Sequence, residues 1–240
     1  MEIADYDKLL GITGQITIAL RFIPALVLGW YWRSFNQPIR LMGYFLIAII
    51  ISNLFNEVLY WSFLEYYNSF WKSILMSLNI GDTHFLNIIG RLIDYIFVGW
   101  IFSFTLKEPL SWRLKHISWG LIPVAILVYF FVDGFRTYGT VNAILNRVYL
   151  VAVPMLYFWY LFNSPPNLSL WRNSFFLFGL GLSVSNLFGI IMSFVGDKLN
   201  ETDYVAFVKV SIFRNCLTIL AQFVFAYAFY QAKYAKYLLK

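Results

Sequence analysis

The sequence predicts an all-α integral membrane protein of seven transmembrane helices, N-terminus outside and C-terminus cytoplasmic. Three observations predict it. The 240 residues are 60% hydrophobic and 12% charged, about half the charged fraction of a soluble domain. The apolar residues gather into runs long enough to cross a bilayer, which takes about 20 residues of helix. The basic residues between the runs collect on alternate connections.

A soluble globule cannot withdraw this much apolar surface from water, so lipid is the expected solvent. The net charge of +6 then reads as an orientation signal, and no nucleic-acid partner is expected. A lone cysteine, Cys216, excludes an internal disulfide and a cysteine-rich metal site. The start, MEIADYDK, is acidic where a signal peptide is basic, and no small-residue cleavage site follows the first run.

In chain order the spans are 9–32, 40–64, 84–106, 114–133, 143–162, 172–196 and 204–232. They lack period-two alternation and are too long for barrel strands. With the N-terminus outside, the inner segments hold Arg33, Arg40, Lys107, Arg113, Lys115, Arg172, Lys233, Lys236 and Lys240. The outer segments hold only Lys8, Lys72, Arg136 and Lys198, which satisfies the positive-inside rule. A plasma (inner) membrane location is expected. The outer loop 65–83 places Phe70, Trp71, Ile74, Leu75 and Leu78 at helical spacing, so it reads either as an interfacial helix or as an ordered loop. The sequon Asn200-Glu201-Thr202 falls outside, where chance occurrence is the simpler explanation.

The phrase SNLF occurs at 52–55 and again at 185–188. Its neighbours repeat in order. Arg21, then Asn36 and Pro38, precede the first copy; Arg147, then Asn163 and Pro165, precede the second. Arg91 before GWIFSF in span three matches Arg214 before QFVFAY in span seven. The whole chain, 1–240, then reads as one membrane domain: a three-helix repeat over 1–106, a linker helix over 107–142 and a second repeat over 143–240. The alternative is convergent membrane composition. Ala48, Ser52 and Asn56, like Gly181, Ser185 and Gly189, share one helix face at spacing four, which suits close helix contact. Asn53 and Asn186 are placed to hydrogen-bond across helices.

The halves differ in their acids: Glu57 aligns with Ile190 and Asp94 with Leu217. An ionised side chain at mid-bilayer costs about 2.5–3.5 kcal/mol, so four arginines and two acids must turn inward. Arg21, Asn53, Glu57, Asn87, Arg91, Asp94, Arg147, Asn186, Arg214, Thr218 and Gln222 are the candidate ligand-binding residues. At about 1.5 Å per residue, Glu57, Arg91, Asp94, Arg147 and Arg214 fall in the outer half of the bilayer, with Arg21 near the middle. The surplus of positive charge suits an anion. The competing reading is that the same residues staple helices together, Arg91 to Asp94 and Glu57 to Arg21 or Arg214.

Only His84 and His116 occur, so no HExxH metal site exists, and neither catalytic residues nor a cofactor are expected. The plan of three helices, one and three is shared by SWEET-type sugar transporters and microbial rhodopsins. Arg91-Leu-Ile-Asp94-Tyr95 resembles the third-helix Arg-x-x-Asp-Trp of microbial rhodopsins, which implies retinal on a lysine midway along helix seven. That place reads RNCLTILAQF, without lysine, and Lys209 lies near the outer end, which argues against a retinal pigment.

The expected function is a membrane receptor or sensor for a small, anionic ligand, signalling through a separate membrane or cytoplasmic partner that docks on the inner basic residues. A transporter or channel is the first alternative. An intramembrane enzyme using Glu57 and Asp94 is the second.

Overall fold

The structure is a computed structural model and describes residues 3–66, 73–74, 86–133, 140–163 and 169–234. Every regular element among the described residues is helical: α1 Ile3–Leu20, α2 Phe22–Tyr31, α3 Gln37–Tyr66, α4 Asn87–Ser103, α5 Leu110–Val128, α6 Thr140–Asn163, α7 Ser174–Thr202 and α8 Tyr204–Ala232. Helix is what the chain can use, because a helix satisfies its own backbone where no water is present.

Six stretches are long and apolar enough to cross a membrane: 5–34, 37–59, 110–133, 141–163, 174–196 and 204–232. The third expected span is described only in part. Its helix within the described residues, α4, has 17 residues, about 26 Å. The loop 65–83 and His84 lie almost wholly outside the described residues. The outer surface is apolar: Trp30 is 83% exposed and Phe131 82% exposed. Such a surface belongs in lipid.

Two sequence expectations are corrected by local structure. The first span is not one helix. Pro24 has no N–H for the Leu20 carbonyl, and the chain breaks at Arg21, whose N–H bonds Ile18 O at 3.2 Å instead. The matched turn asparagines also do different work. Asn36 Oδ1 accepts from Ile39 N at 3.2 Å and caps α3. Asn163 ends α6, its amide donating to Trp159 O. The cap of α7 is Asn173, accepting from Phe175 N and Phe176 N.

Contacts close a ring. α1 and α2 pack on α8, α8 on α7, α7 on α6, α6 on α4, α4 on α3, and α3 on α2. α5 lies outside the ring against α4. It is held by Ser118, whose hydroxyl donates to Leu114 O and meets Tyr149 Oη at 2.7 Å, and by Asn142, whose amide donates to Ala125 O at 2.8 Å. Gly99 makes the first contact possible: a Cβ there would overlap Ser118 Oγ and come within 2.6 Å of Tyr149 Oη.

One end of the ring is filled. Phe178, 1% exposed, packs on Phe45, Phe102 and Phe225 with ring centroids 5.8, 6.3 and 5.3 Å away. Gly181 admits the Phe225 ring, which a Cβ would meet at 2.6 Å. The small-residue face expected on α7 therefore takes a ring rather than a helix backbone.

Gly99→Ala is expected to lower the thermal unfolding temperature in detergent, by an overpacking cost of about 1–3 kcal/mol. Gly120→Ala, where a Cβ would meet nothing within 4 Å, serves as the control and should leave it unchanged or slightly raised.

Candidate ligand-binding site

Inside the ring, above Phe45 and Phe225, lies a cavity of about 420 Å³ lined by α3, α4, α6, α7, α8 and the α1–α2 break. A second cavity of about 470 Å³ continues toward the end where α1 and α8 begin, sharing Ala143, Arg147, Arg214 and Asn215 with the first. The polar interior is thus closed by aromatics at one end and leads toward the other.

Arg21, Asn53, Asn87, Arg91, Asp94, Arg147, Asn186, Arg214, Thr218 and Gln222 all line the first cavity. Glu57 does not; it is half-buried, within charge-interaction range of Arg21. The break places Arg21 where two helices end, and its guanidinium also feels Asp94. Arg91 faces Asp133 across 4.0 Å, with 11% and 2% of the two side chains exposed. Asp94 is within reach of both Arg91 and Arg21, with Asn146 beside it. The local Arg91–Asp94 neutralisation expected from sequence is thereby widened to a third acid.

Arg147 donates to Gly189 O and to Ser193 Oγ. A Cβ at Gly189 would press on Arg147 Nε and Cδ at 3.0–3.1 Å, so this glycine makes room for the guanidinium. That is why the second SNLF is followed by glycine. The asparagines of the repeated phrase do not bridge helices. Asn53 donates to Ile49 O at 2.7 Å, and Asn186 to Leu182 O at 2.9 Å and Ser185 Oγ at 3.1 Å, all on their own helices.

The stripe on α8 is read from bonds along its axis. Thr218 Oγ1 donates to Arg214 O at 3.0 Å, and Gln222 Nε2 reaches Thr218 O at 3.4 Å. α1 and α8 run side by side in the same direction. Tyr204 Oη donates to Asp7 and Asn215 to Thr13, at sequence separations of 197 and 202. Arg21 therefore lies level with Gln222, and Arg214 sits about 12 Å nearer the open end.

Thr17, Ser52, Asn56, Asn146, Ser185 and Asn215 also line the cavity and were missed by one-face reasoning. A ring of this width takes more than one stripe from each helix, so neighbours 100° apart, such as Asn146 and Arg147, both reach it. The usable signal was the asparagine next to two of the buried arginines, Asn146 beside Arg147 and Asn215 beside Arg214. Asp133 was missed because it ends an apolar run and looks like a boundary residue. It caps α6 as well, accepting from Val141 N and Asn142 N at 3.1 Å each.

No protein family, curated protein or solved structure matches the chain. What the site can do chemically rests on its own geometry: among the described residues it offers guanidiniums, amides and the Asp94 carboxylate on its wall.

Asp133→Ala removes both the charge partner of Arg91 and the cap of α6; Asp133→Asn keeps an acceptor for the cap. Both are expected to destabilise, alanine more, by about 3–5 kcal/mol for the broken buried pair plus about 1 kcal/mol for the cap. Thermal unfolding of the two variants in nanodiscs measures the order.

Proposed function

We propose that this protein is a seven-helix membrane receptor or sensor, built as a repeat of three helices, a linker helix and three more, that binds a small anion in a cavity opening to the outer side of a plasma membrane. The observation that carries the reading is the cavity wall: among the described residues it holds four arginines, one carboxylate and a row of amides, closed beneath by Phe45 and Phe225. Its volume of about 420 Å³ falls within the range of small-molecule sites. The aromatic cluster around Phe178 supports one-sided binding, because no polar path passes it among the described residues. Signalling then passes to a separate membrane or cytoplasmic partner. Exposed Arg40, Lys107, Arg113 and Arg172 at the closed end offer a basic surface for it, and for anionic lipid.

Transport is the second reading, favoured by the break at Arg21. Helices interrupted beside a polar centre are a recurring feature of alternating-access proteins. The enzyme reading has less support, since Glu57, its proposed partner to Asp94, stands off the cavity wall.

Arg214 separates binding from stapling. Among the described residues its guanidinium has no ion pair or hydrogen bond, although it lines the cavity. A staple should weaken the fold when removed. A binding residue held at a cost should not. Arg214→Gln is expected to leave the unfolding temperature in nanodiscs equal or higher, while abolishing the stabilisation that a panel of small organic anions gives the wild type. Lower stability with unchanged anion response would sink the binding role.

In proteoliposomes the closed inner half should give no solute uptake above that of empty vesicles. Robust uptake that depends on Arg214 would replace the sensor by a transporter.

A further inference from the structure

We infer that the deep end of the cavity seats a hydroxyaryl group, so that the ligand is a small acid carrying a phenol, its ring on Phe45 and Phe225 and its hydroxyl donating to Gln222. The acid end rests on reading the cavity as an anion site; the seat for the ring stands on separate observations.

Helix spacing sets the layers. Phe178 packs on Phe45 and on Phe225, which puts the three rings at one level. Phe45 and Phe225 line the cavity and form its floor. One turn above them, at about 4.5–6 Å, α3 brings Ile49, α7 brings Leu182 and α8 brings Gln222 to the wall. Leu46 and Leu150 line the cavity as well. A ring laid here meets aromatic side chains below and aliphatic ones around it, and aromatic pairs gain beyond the area they bury.

Gln222 supplies the polar point. It is 5% exposed, and its Oε1 has no partner among the described residues. The amide is anchored by a long bond, Nε2 to Thr218 O at 3.4 Å, so a turn about its broad last torsion presents Oε1 to a ligand. An oxygen acceptor calls for a donor, which a hydroxyl supplies and a carboxylate does not. Asp94 also lines the cavity and is the competing acceptor for such a hydroxyl. Asn56 Oδ1 is orphaned too, but it stands on α3 about 16 Å above Phe45 and cannot share the same donor.

Size agrees. A dry cavity of about 150 Å³ takes one benzene ring. A volume of about 420 Å³ leaves room above the ring for an acid group reaching toward Arg214. A sugar acid would press hydroxyls on Ile49, Leu182 and the floor rings. A saturated fatty acid would leave Gln222 Oε1 unmet, and a site built on such a group rejects an analogue that lacks the matching donor.

The test is isothermal titration of the full chain in nanodiscs, against empty nanodiscs, with 4-hydroxyphenylacetate, phenylacetate, trans-4-hydroxycyclohexylacetate and the uncharged phenol tyrosol. 4-Hydroxyphenylacetate is expected to bind more tightly than phenylacetate by about tenfold or more, and more tightly than the cyclohexyl acid by about threefold or more. Gln222→Leu should bring the first ratio below about twofold. Phenylacetate matching 4-hydroxyphenylacetate in the wild type would mean that water, and not the ligand, satisfies Gln222; the proposal then falls and the anion reading stands. A first ratio that survives Gln222→Leu gives the hydroxyl to Asp94 and overturns the seat on Gln222. Equal binding of the cyclohexyl acid overturns the aryl class. Tyrosol binding as tightly as 4-hydroxyphenylacetate supports the seat and overturns the anion reading. No binding of any probe overturns both. The wild-type comparisons need no variant, so they decide the matter should Gln222→Leu fold poorly.

Discussion

A guanidinium in hydrocarbon is the constraint on which the rest of this structure depends. One such charge costs about 2.5–3.5 kcal/mol at mid-bilayer, so four together approach the whole stability of a typical domain, about 5–15 kcal/mol. Arg21 at the α1–α2 break and Arg91, Arg147 and Arg214 on three different helices all line one cavity. The ring around them follows. Asp133 is placed beside Arg91 by the turn that ends the α5 stretch, Gly189 is bare so that Arg147 can lie against α7, and the chain breaks at Arg21 where Pro24 forbids a continuous helix.

The two ends of the bundle answer different demands. Toward the closed end, the space between helices is filled by rings, with Phe178 at the centre and glycines at 179 and 181 letting Phe158, Phe102 and Phe225 approach. Dispersion contacts there hold the bundle where lipid gives no hydrophobic force between helices. Toward the other end the helices are held by polar links, Tyr204 to Asp7 and Asn215 to Thr13, and enclose the second cavity. The packed floor of rings thus lies beneath a polar interior.

The site was legible to the extent that charge dictates direction. Arg91, Asp94, Arg214, Thr218 and Gln222 were placed on inward stripes from spacing alone, and the structure puts each on the cavity wall. Glu57 was placed with them because it shares a face with Asn53, but a helix turn outward was enough to move it off the wall. Asp133 and Asn146 went unread for opposite reasons: the acid sits at a run's end, and the amide carries too little cost in lipid to demand attention. Asn53 and Asn186 illustrate a further limit, since an asparagine in a helix can satisfy itself on its own backbone four residues back.

The sequence by itself determined the solvent, the helical class and the inward turn of the arginines, because these follow from transfer energies and helix geometry that act on each segment alone. Only the tertiary structure decided which acid meets which arginine, where the first span breaks, that α5 stands outside the ring and that rings seal one end. Those outcomes depend on relative heights and rotations of packed helices, and these are fixed by contacts such as Gly99 with Ser118 and Gly189 with Arg147, between residues far apart in the chain.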